Sequence, residues 1–358
     1  MIKTQQQEVF IDLIRLGIGH TRVFSNNQID WLAIRSLAMQ HGLDAIVIDG
    51  IEKLPDSLRP DKTTLLEWMG EMFQGYESRY ELYLQTIAEV ASFYGSHGYK
   101  MMLLKGYVCG RDWPKPEHRP YGDIDIWLFG EQMEADAILS KEQGVKIDKS
   151  HHHHTVFRWN NIIVENHYDF VNVHTRRSSA KIEFLFKDLG RDDAHTINVN
   201  GKTVYMPSPN LNALFLIRHL ISHFTSSNIN LRQILDWCFF VEKHTREVDW
   251  QWLLNVLEEY HMKDFFNCLN AICVDDLGFD AAIFPTVQYL PDLKDAVIMD
   301  VLDPTYDMAE PQGLIRRLVF KYKRWQGNAW KQRFCYKESR WESFWQGLWA
   351  HFLKPSSF

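Results

Sequence analysis

The chain has 358 residues, a formal net charge of −7 and 46% hydrophobic residues. That length predicts two or three domains, and the apolar share excludes a globally disordered chain. The negative balance argues against a general nucleic-acid coat, though a local basic patch stays compatible with it. Aromatic residues at 14%, with 13 Trp, point to helices packed through large side chains. The five cysteines, Cys109, Cys238, Cys268, Cys273 and Cys335, form no CxxC pair, so buried, reduced thiols are expected. The first residues show no basic segment followed by an apolar one, so no signal peptide is expected. No run of about 18 apolar residues predicts a membrane span. A cytoplasmic protein is the expectation.

Residues 5–21 place Val9, Phe10, Leu13, Ile14 and Leu16 on a helical stripe. Residues 28–42 repeat the pattern and stop at Gly42. Residues 62–99 keep a helical period from Leu66 to Phe93 and end at Gly98. Residues 1–98 therefore read as an N-terminal helical region whose plain role is packing. The character changes at Tyr99. Residues 101–106 (MMLLKG) read as a buried strand, and 122–130 (GDIDIWLFG) alternate, with Asp123 and Asp125 on one face and Ile124 and Ile126 on the other. Residues 131–144 read as a helix ending at Gly144. Two strands then meet at Asn160-Asn161, and Asn200-Gly201 signals a further hairpin. Residues 99–207 thus form a mixed α/β region. Helical period returns at Ser208, a good N-cap followed by Pro209. Residues 208–358 form a C-terminal helical region with a basic, Trp-rich tail.

The chemistry concentrates between Leu103 and Leu128. Period-2 spacing points Asp123 and Asp125 to one side, where two hard oxygen donors suit Mg²⁺ (or Mn²⁺) bridging to phosphate oxygens. Gly106 ends the preceding strand and lets backbone N–H groups approach a phosphate, and Lys105 adds charge. Arg119 reads equally as a bidentate phosphate clamp or as the partner of a neighbouring carboxylate. The third acid must come from another strand. In residues 162–172 (IIVENHYDFVN), Ile163, Glu165, His167 and Asp169 share a face. Glu165 follows the most apolar part, so it is expected deepest, as a metal ligand or as a base toward a hydroxyl. Asp169 is the alternative.

The pattern LLKG, then RPYGDIDIWL, then VENHYDF resembles the nucleotidyltransferase superfamily with the DNA-polymerase-β fold. More closely, it resembles a bacterial family often labelled nucleotidyltransferase family 5. The likeness runs through Lys105-Gly106, Arg119, Asp123, Asp125, Glu165 and His167, and continues through Arg218-His219, His223, Leu231-Arg232 and Asp236-Trp237. It implies an α+β fold, with a polymerase-β-like mixed sheet flanked by helical regions. It also implies Mg²⁺-dependent transfer of a nucleoside monophosphate from an NTP, through Asp123, Asp125 and Glu165. Lys105, Gly106, Arg119, His167, Arg218 and His219 become candidate nucleotide contacts. Three features depart from the pattern. Tyr107 follows Gly106 in place of Ser or Gly, Tyr168 replaces the usual Trp, and the 17-residue gap from Gly106 to Asp123 is long. Residues 111–120 therefore read as an insertion over the site, and 112–117 as the element choosing the acceptor.

Other constellations allow plainer readings. The run His151–His154 offers two imidazoles per strand face, for structural, substrate or zinc contacts. His219 and His223 are i,i+4 on one helix, as are Arg232 and Asp236, which can pair with each other. Residues 313–358 hold ten Lys or Arg against two Asp or Glu, interleaved with Trp. That suits nucleic acid, an anionic surface, or a helix covering the α/β region. Acceptors in keeping with the site are a hydroxyl on a small molecule, a saccharide, a protein or an RNA end. Two competitors are a non-catalytic nucleotide- or partner-binding module, and a DxD glycosyltransferase, which needs a nucleotide-binding α/β domain before the DxD.

Overall fold

The computed structural model describes residues 3–20, 28–174, 176–192, 194–285, 288–305 and 311–353. The chain opens with α1 (Gln5–Gly17), started by a capping box in which the Thr4 hydroxyl and the Gln7 side chain serve each other's backbone N–H. Next come α2 (Trp31–His41), capped by Asp30 and ended by Gly42, and α3 (Asp44–Ile51). Helices α4 (Lys62–Met72) and α5 (Ser78–Ser96) form one run interrupted by a π-turn at Phe73–Glu77. The sheet region contains β1 (Met102–Leu104), the short α6 (Gly106–Gly110), β2 (Ile124–Trp127) and α7 (Gln132–Gln143). It continues with β3 (His154–Trp159), β4 (Ile162–His167), α8 (Arg177–Asp192), β5 (His195–Val199) and β6 (Lys202–Met206). Asn160 and Asn161 both take positive φ in the β3–β4 turn, as do Asn200 and Gly201 between β5 and β6, as the two hairpin signals require.

The six strands order β3-β4-β2-β1-β6-β5 in one mixed sheet. β2 runs parallel to β4, and β1 parallel to β6, while β1–β2, β3–β4 and β5–β6 are antiparallel. This is the α+β arrangement expected. Alternation along each strand divides the apolar residues between two cores. Leu103, Ile124, Ile126 and Val164 pack with Tyr83, Ile87 and Val90 of α5 and with Leu139 of α7. Met102, Leu104 and Trp127 belong to the larger core, which reaches Phe186 of α8. That core continues through α9 (Pro209–Ser226), α10 (Leu231–His244), α11 (Trp250–Glu259), α12 (Lys263–Asp275) and α13 (Pro291–Leu302), and also takes in α1–α3. The N-terminal and C-terminal helical regions therefore share one core beside the sheet.

Outside the C-terminal helical region, the helices α3, α6 and α8 have no individual counterpart in the pattern reading. α3 is buried at every position from Ala45 to Ile51, so it shows no amphipathic period. α8 is amphipathic, burying Ser179, Ile182, Glu183, Phe186 and Gly190 on one face. All five cysteines are buried and free. Among the described residues no helix is long and apolar enough to cross a membrane. The tail divides into α14 (Leu314–Gly327), α15 (Ala329–Cys335) and α16 (Arg340–Leu353). α15 joins the core through Phe334 and Cys335, and its Lys331 pairs with Asp300 at 2.6 Å. Ile315, Leu318, Val319 and Tyr322 of α14 are exposed, as are Trp341 and Trp345 of α16.

Candidate active site

At the end of β1 the backbone turns at Lys105, whose φ of 43° lies in a region that L-residues rarely adopt. The turn places its ammonium on the sheet, with Nζ 2.6 Å from Asp125 Oδ1. Gly106 then opens α6. A Cβ at Gly106 would lie 2.6 Å from the Tyr83 hydroxyl, so the close approach of α5 is sufficient to demand glycine. That hydroxyl donates to the Asp123 carbonyl at 2.9 Å. Arg79, also on α5, donates to the carbonyls of Tyr121 and Gly122. Helix α5 thereby fixes the segment leading into β2.

Asp123 sits one residue before β2 and Asp125 within it. Asp125 stands opposite Leu104 on β1 and level with Glu165 on β4. Parallel register thus supplies the third carboxylate some forty residues away in sequence. His167 Nε2 bonds Asp125 Oδ1 at 2.9 Å and lies 3.6 Å from Glu165 Oε2. Donor atoms of Asp125, Glu165 and His167 all fall within 4.8 Å of one another. Glu165 is only half-buried, a correction to its expected depth: its side chain is 21% exposed, against 4% for Asp125 and 2% for His167. Asp169 instead pairs with Lys187.

A pocket opens beside these acids. Lys105, Gly106, Arg119, Asp123 and Asp125 line it from the sheet side, with His219 and His223 from α9 and Arg232 and Asp236 from α10. Arg119 resolves its two readings in favour of the ion pair. Its Nε and Nη2 donate to both Asp236 oxygens at 2.8 and 2.9 Å, and the guanidinium is buried. Trp113 Nε1 donates to the same carboxylate at 2.8 Å. Arg232, one turn from Asp236 on α10, makes no ion pair with it among the described residues. Its one hydrogen bond there is to the Pro120 carbonyl, at 3.5 Å. The i,i+4 pairing suggested by sequence is displaced by a partner from a distant loop.

The insertion at 111–120 is fastened rather than free. Lys115 and His118 bind the two oxygens of Asp49 on α3, at 2.5 and 2.7 Å, while Trp113 and Arg119 hold Asp236 on α10. His167, expected at the nucleotide, lies behind the carboxylates, fully buried. Arg218 is not brought to the pocket. Its guanidinium is buried against Tyr336 Oη at 2.6 Å and Ser179 Oγ at 2.8 Å, where it joins α8, α9 and the tail. The pattern reading missed Arg232 as a pocket cation. Its signal was present, one residue after a helix start capped by Asn230.

The charges compensate unevenly. Burial would raise the Asp125 carboxyl, but Lys105 and His167 hold it well below the usual range. Burial, then the adjoining charges of Asp125 and Glu165, push Asp123 up. No cation lies within ion-pair distance of Asp123 among the described residues. Burial and the positive Lys105 drive His219 well below its ordinary value and His223 down to about 4, so both are neutral near pH 7. Among the described residues, neither Asp123 nor Arg232, both lining the pocket, makes a close ion pair.

Two of the acids, Asp123 and Asp125, line the pocket, and Glu165 stands level with Asp125 on the adjoining strand. The chain belongs to a family described as "Uncharacterised nucleotidyltransferase", which matches residues 27–277. Among solved structures it is similar to an antigenic nucleotidyltransferase-like protein from Paracoccidioides brasiliensis. That likeness has 16% identity over 49% of this chain and 88% of that one, with a TM-score of 0.33. No curated protein gives a significant match.

Proposed function

We propose that the chain transfers a nucleoside monophosphate from an NTP to a hydroxyl acceptor and releases pyrophosphate. The observation that carries this is the alignment of Asp125 with Glu165 on parallel β2 and β4, with Asp123 unpaired at the pocket mouth. Asp125 and Glu165 lie within reach of a common ion, and burial and then Asp125 raise Asp123 beside them, which fits a donor set for a divalent cation. Asp123, Asp125 and Glu165 would hold Mg²⁺ (or Mn²⁺), which when bound neutralises the triphosphate and lowers the barrier to displacement at its α-phosphorus.

The remaining roles fall to the chain itself. Arg232, lacking a carboxylate partner, receives phosphate oxygens. Arg119 is held by Asp236 and sets the pocket's shape and field rather than clamping phosphate directly. Lys105 keeps Asp125 ionised. Neutral His219 and His223 offer hydrogen bonds to base, ribose or acceptor without adding charge. In the transfer, the acceptor oxygen forms a bond to the α-phosphorus as the bond to the β-phosphate bridging oxygen breaks. The acceptor's proton passes to Glu165 or Asp123, and the electron pair leaves with pyrophosphate. Among the described residues between 3 and 96 every element is a helix, so this stretch does not supply the nucleotide-binding α/β domain that a glycosyltransferase would need before the DxD.

One observation favours a second reading, a non-catalytic nucleotide-binding module: Asp125 Oδ1 is already taken by Lys105 and His167. The two readings separate experimentally. Binding of Mg²⁺ with ATP, CTP, GTP and UTP is measured by calorimetry for the wild type and Asp123→Asn, alongside pyrophosphate release. Transfer predicts Mg²⁺-dependent binding and release, both lost in the variant. Binding without release from a broad acceptor panel supports the module. Mg²⁺-NTP binding that survives removal of both Asp123 and Asp125 overturns the site.

A further inference from the structure

Next to the carboxylates, on the same face of the sheet, lies a cluster of imidazoles that nucleotide transfer does not use. The β3–β4 hairpin sets His154 directly across from His167. Their ring centroids are 5.1 Å apart, and His153, just before β3, is 4.4 Å from His154 and 5.6 Å from His167. Ring nitrogens of the three lie within 4.8 Å of one another. His154 is 6% exposed and His167 1%. Neither nitrogen of His154 makes a hydrogen bond, nor does Nδ1 of His153. Buried imidazole nitrogens without partners are costly and uncommon, and here they converge.

We propose that His153, His154 and His167 form a binding site for a transition-metal dication of the Zn²⁺ class, adjoining the carboxylate site. Imidazole nitrogen selects such ions, whereas Mg²⁺ prefers oxygen donors. With metal–nitrogen bonds of about 2.0–2.1 Å, tetrahedral ligand atoms stand about 3.4 Å apart. The nitrogens, all within 4.8 Å of one another, close toward that spacing on binding. His167 is already oriented for the task. Its Nδ1 lies 3.2 Å from the Asp169 carbonyl, the kind of bond that fixes the tautomer of a metal-bound histidine and leaves Nε2 to ligate. A fourth position is within reach of Glu165, whose oxygens lie 3.7 Å from His154 Nε2 and 3.6 Å from His167 Nε2. On binding, the ion would take the place of the His167 Nε2–Asp125 Oδ1 hydrogen bond.

The test titrates the metal-free full chain with Co²⁺, followed by its visible d–d absorption, and with Zn²⁺ by calorimetry in excess Mg²⁺. One equivalent is expected, with bands of imidazole coordination. The His153→Ala/His154→Ala pair and the milder His154→Gln should each weaken binding at least about 10-fold. Asp123→Asn, outside the cluster, should retain it, which separates failure here from failure of the nucleotide site. Thermal melting confirms that each variant is folded. Binding undiminished in both histidine variants would overturn the site, as would binding abolished by His151→Ala alone, the signature of a surface histidine tract.

Discussion

At the scale of single residues, Asp123 and Asp125 look alike in sequence yet differ in their surroundings. Asp125 is buried between Lys105 and His167, whereas Asp123 lines the pocket with no ion-pair partner among the described residues. Asp123→Asn should reduce transfer at least about 100-fold, the scale of losing a preorganised charged group. It should leave urea stability unchanged or slightly raised, because it removes a carboxylate that its neighbours repel. Asp125→Asn should also end transfer, but lower stability by about 3 kcal/mol, because it strands a buried ammonium. Equal stability for the two variants would refute this division of roles. The i,i+2 spacing made both acids legible in sequence. Which of them is neutralised depends on the positive φ of Lys105 and on a histidine 42 residues further on, neither of which shows in local pattern.

At the scale of elements, the loop from Trp113 to Arg119 is a strut. It joins Asp49 on α3 to Asp236 on α10 and passes beside the pocket. Asp236→Ala removes the partner of a buried guanidinium and an indole N–H together, and should cost about 3–5 kcal/mol by urea denaturation. Arg119→Met with Asp236→Leu should recover much of that loss, as apolar replacements of buried pairs often do. If Asp236→Ala costs under about 1 kcal/mol, the strut is not structural. Deleting residues 112–117 should then unfold the chain rather than retune its acceptor choice. Strands and hairpins were legible because alternation and Asn turns are local signals. The strut was not, since Arg119 and Asp236 are 117 positions apart and the nearer Arg232 offered a plausible helical pairing. Helix α3 escaped notice for a related reason: a helix buried on all sides has no polar face to reveal its period.

At the scale of the whole molecule, the N-terminal and C-terminal helices share one core, and His41 helps to join them. Its Nδ1 accepts the Leu231 backbone N–H at 3.3 Å, tying α2 to the start of α10, which only a neutral ring can do. Burial lowers His41 from 6.5 to about 4. A histidine with a lowered folded pKa contributes its full stability above pH 6.5 and loses it as pH falls toward 4, because the unfolded chain binds the proton first. The full window is worth roughly 3 kcal/mol for one buried group. Melting temperature should therefore fall across pH 6.5–4, and more steeply in the wild type than in His41→Gln. Parallel pH profiles would remove His41 from this role. The central claim is tested most directly with NTPs labelled at the α-phosphate, incubated with Mg²⁺ and with metabolite, RNA and protein fractions. The account predicts that the α-label becomes covalently attached to a hydroxyl product, with an equal yield of pyrophosphate, and that Asp123→Asn abolishes both. Transfer of the γ-phosphate instead, or α-label transfer undiminished in Asp123→Asn, would contradict it.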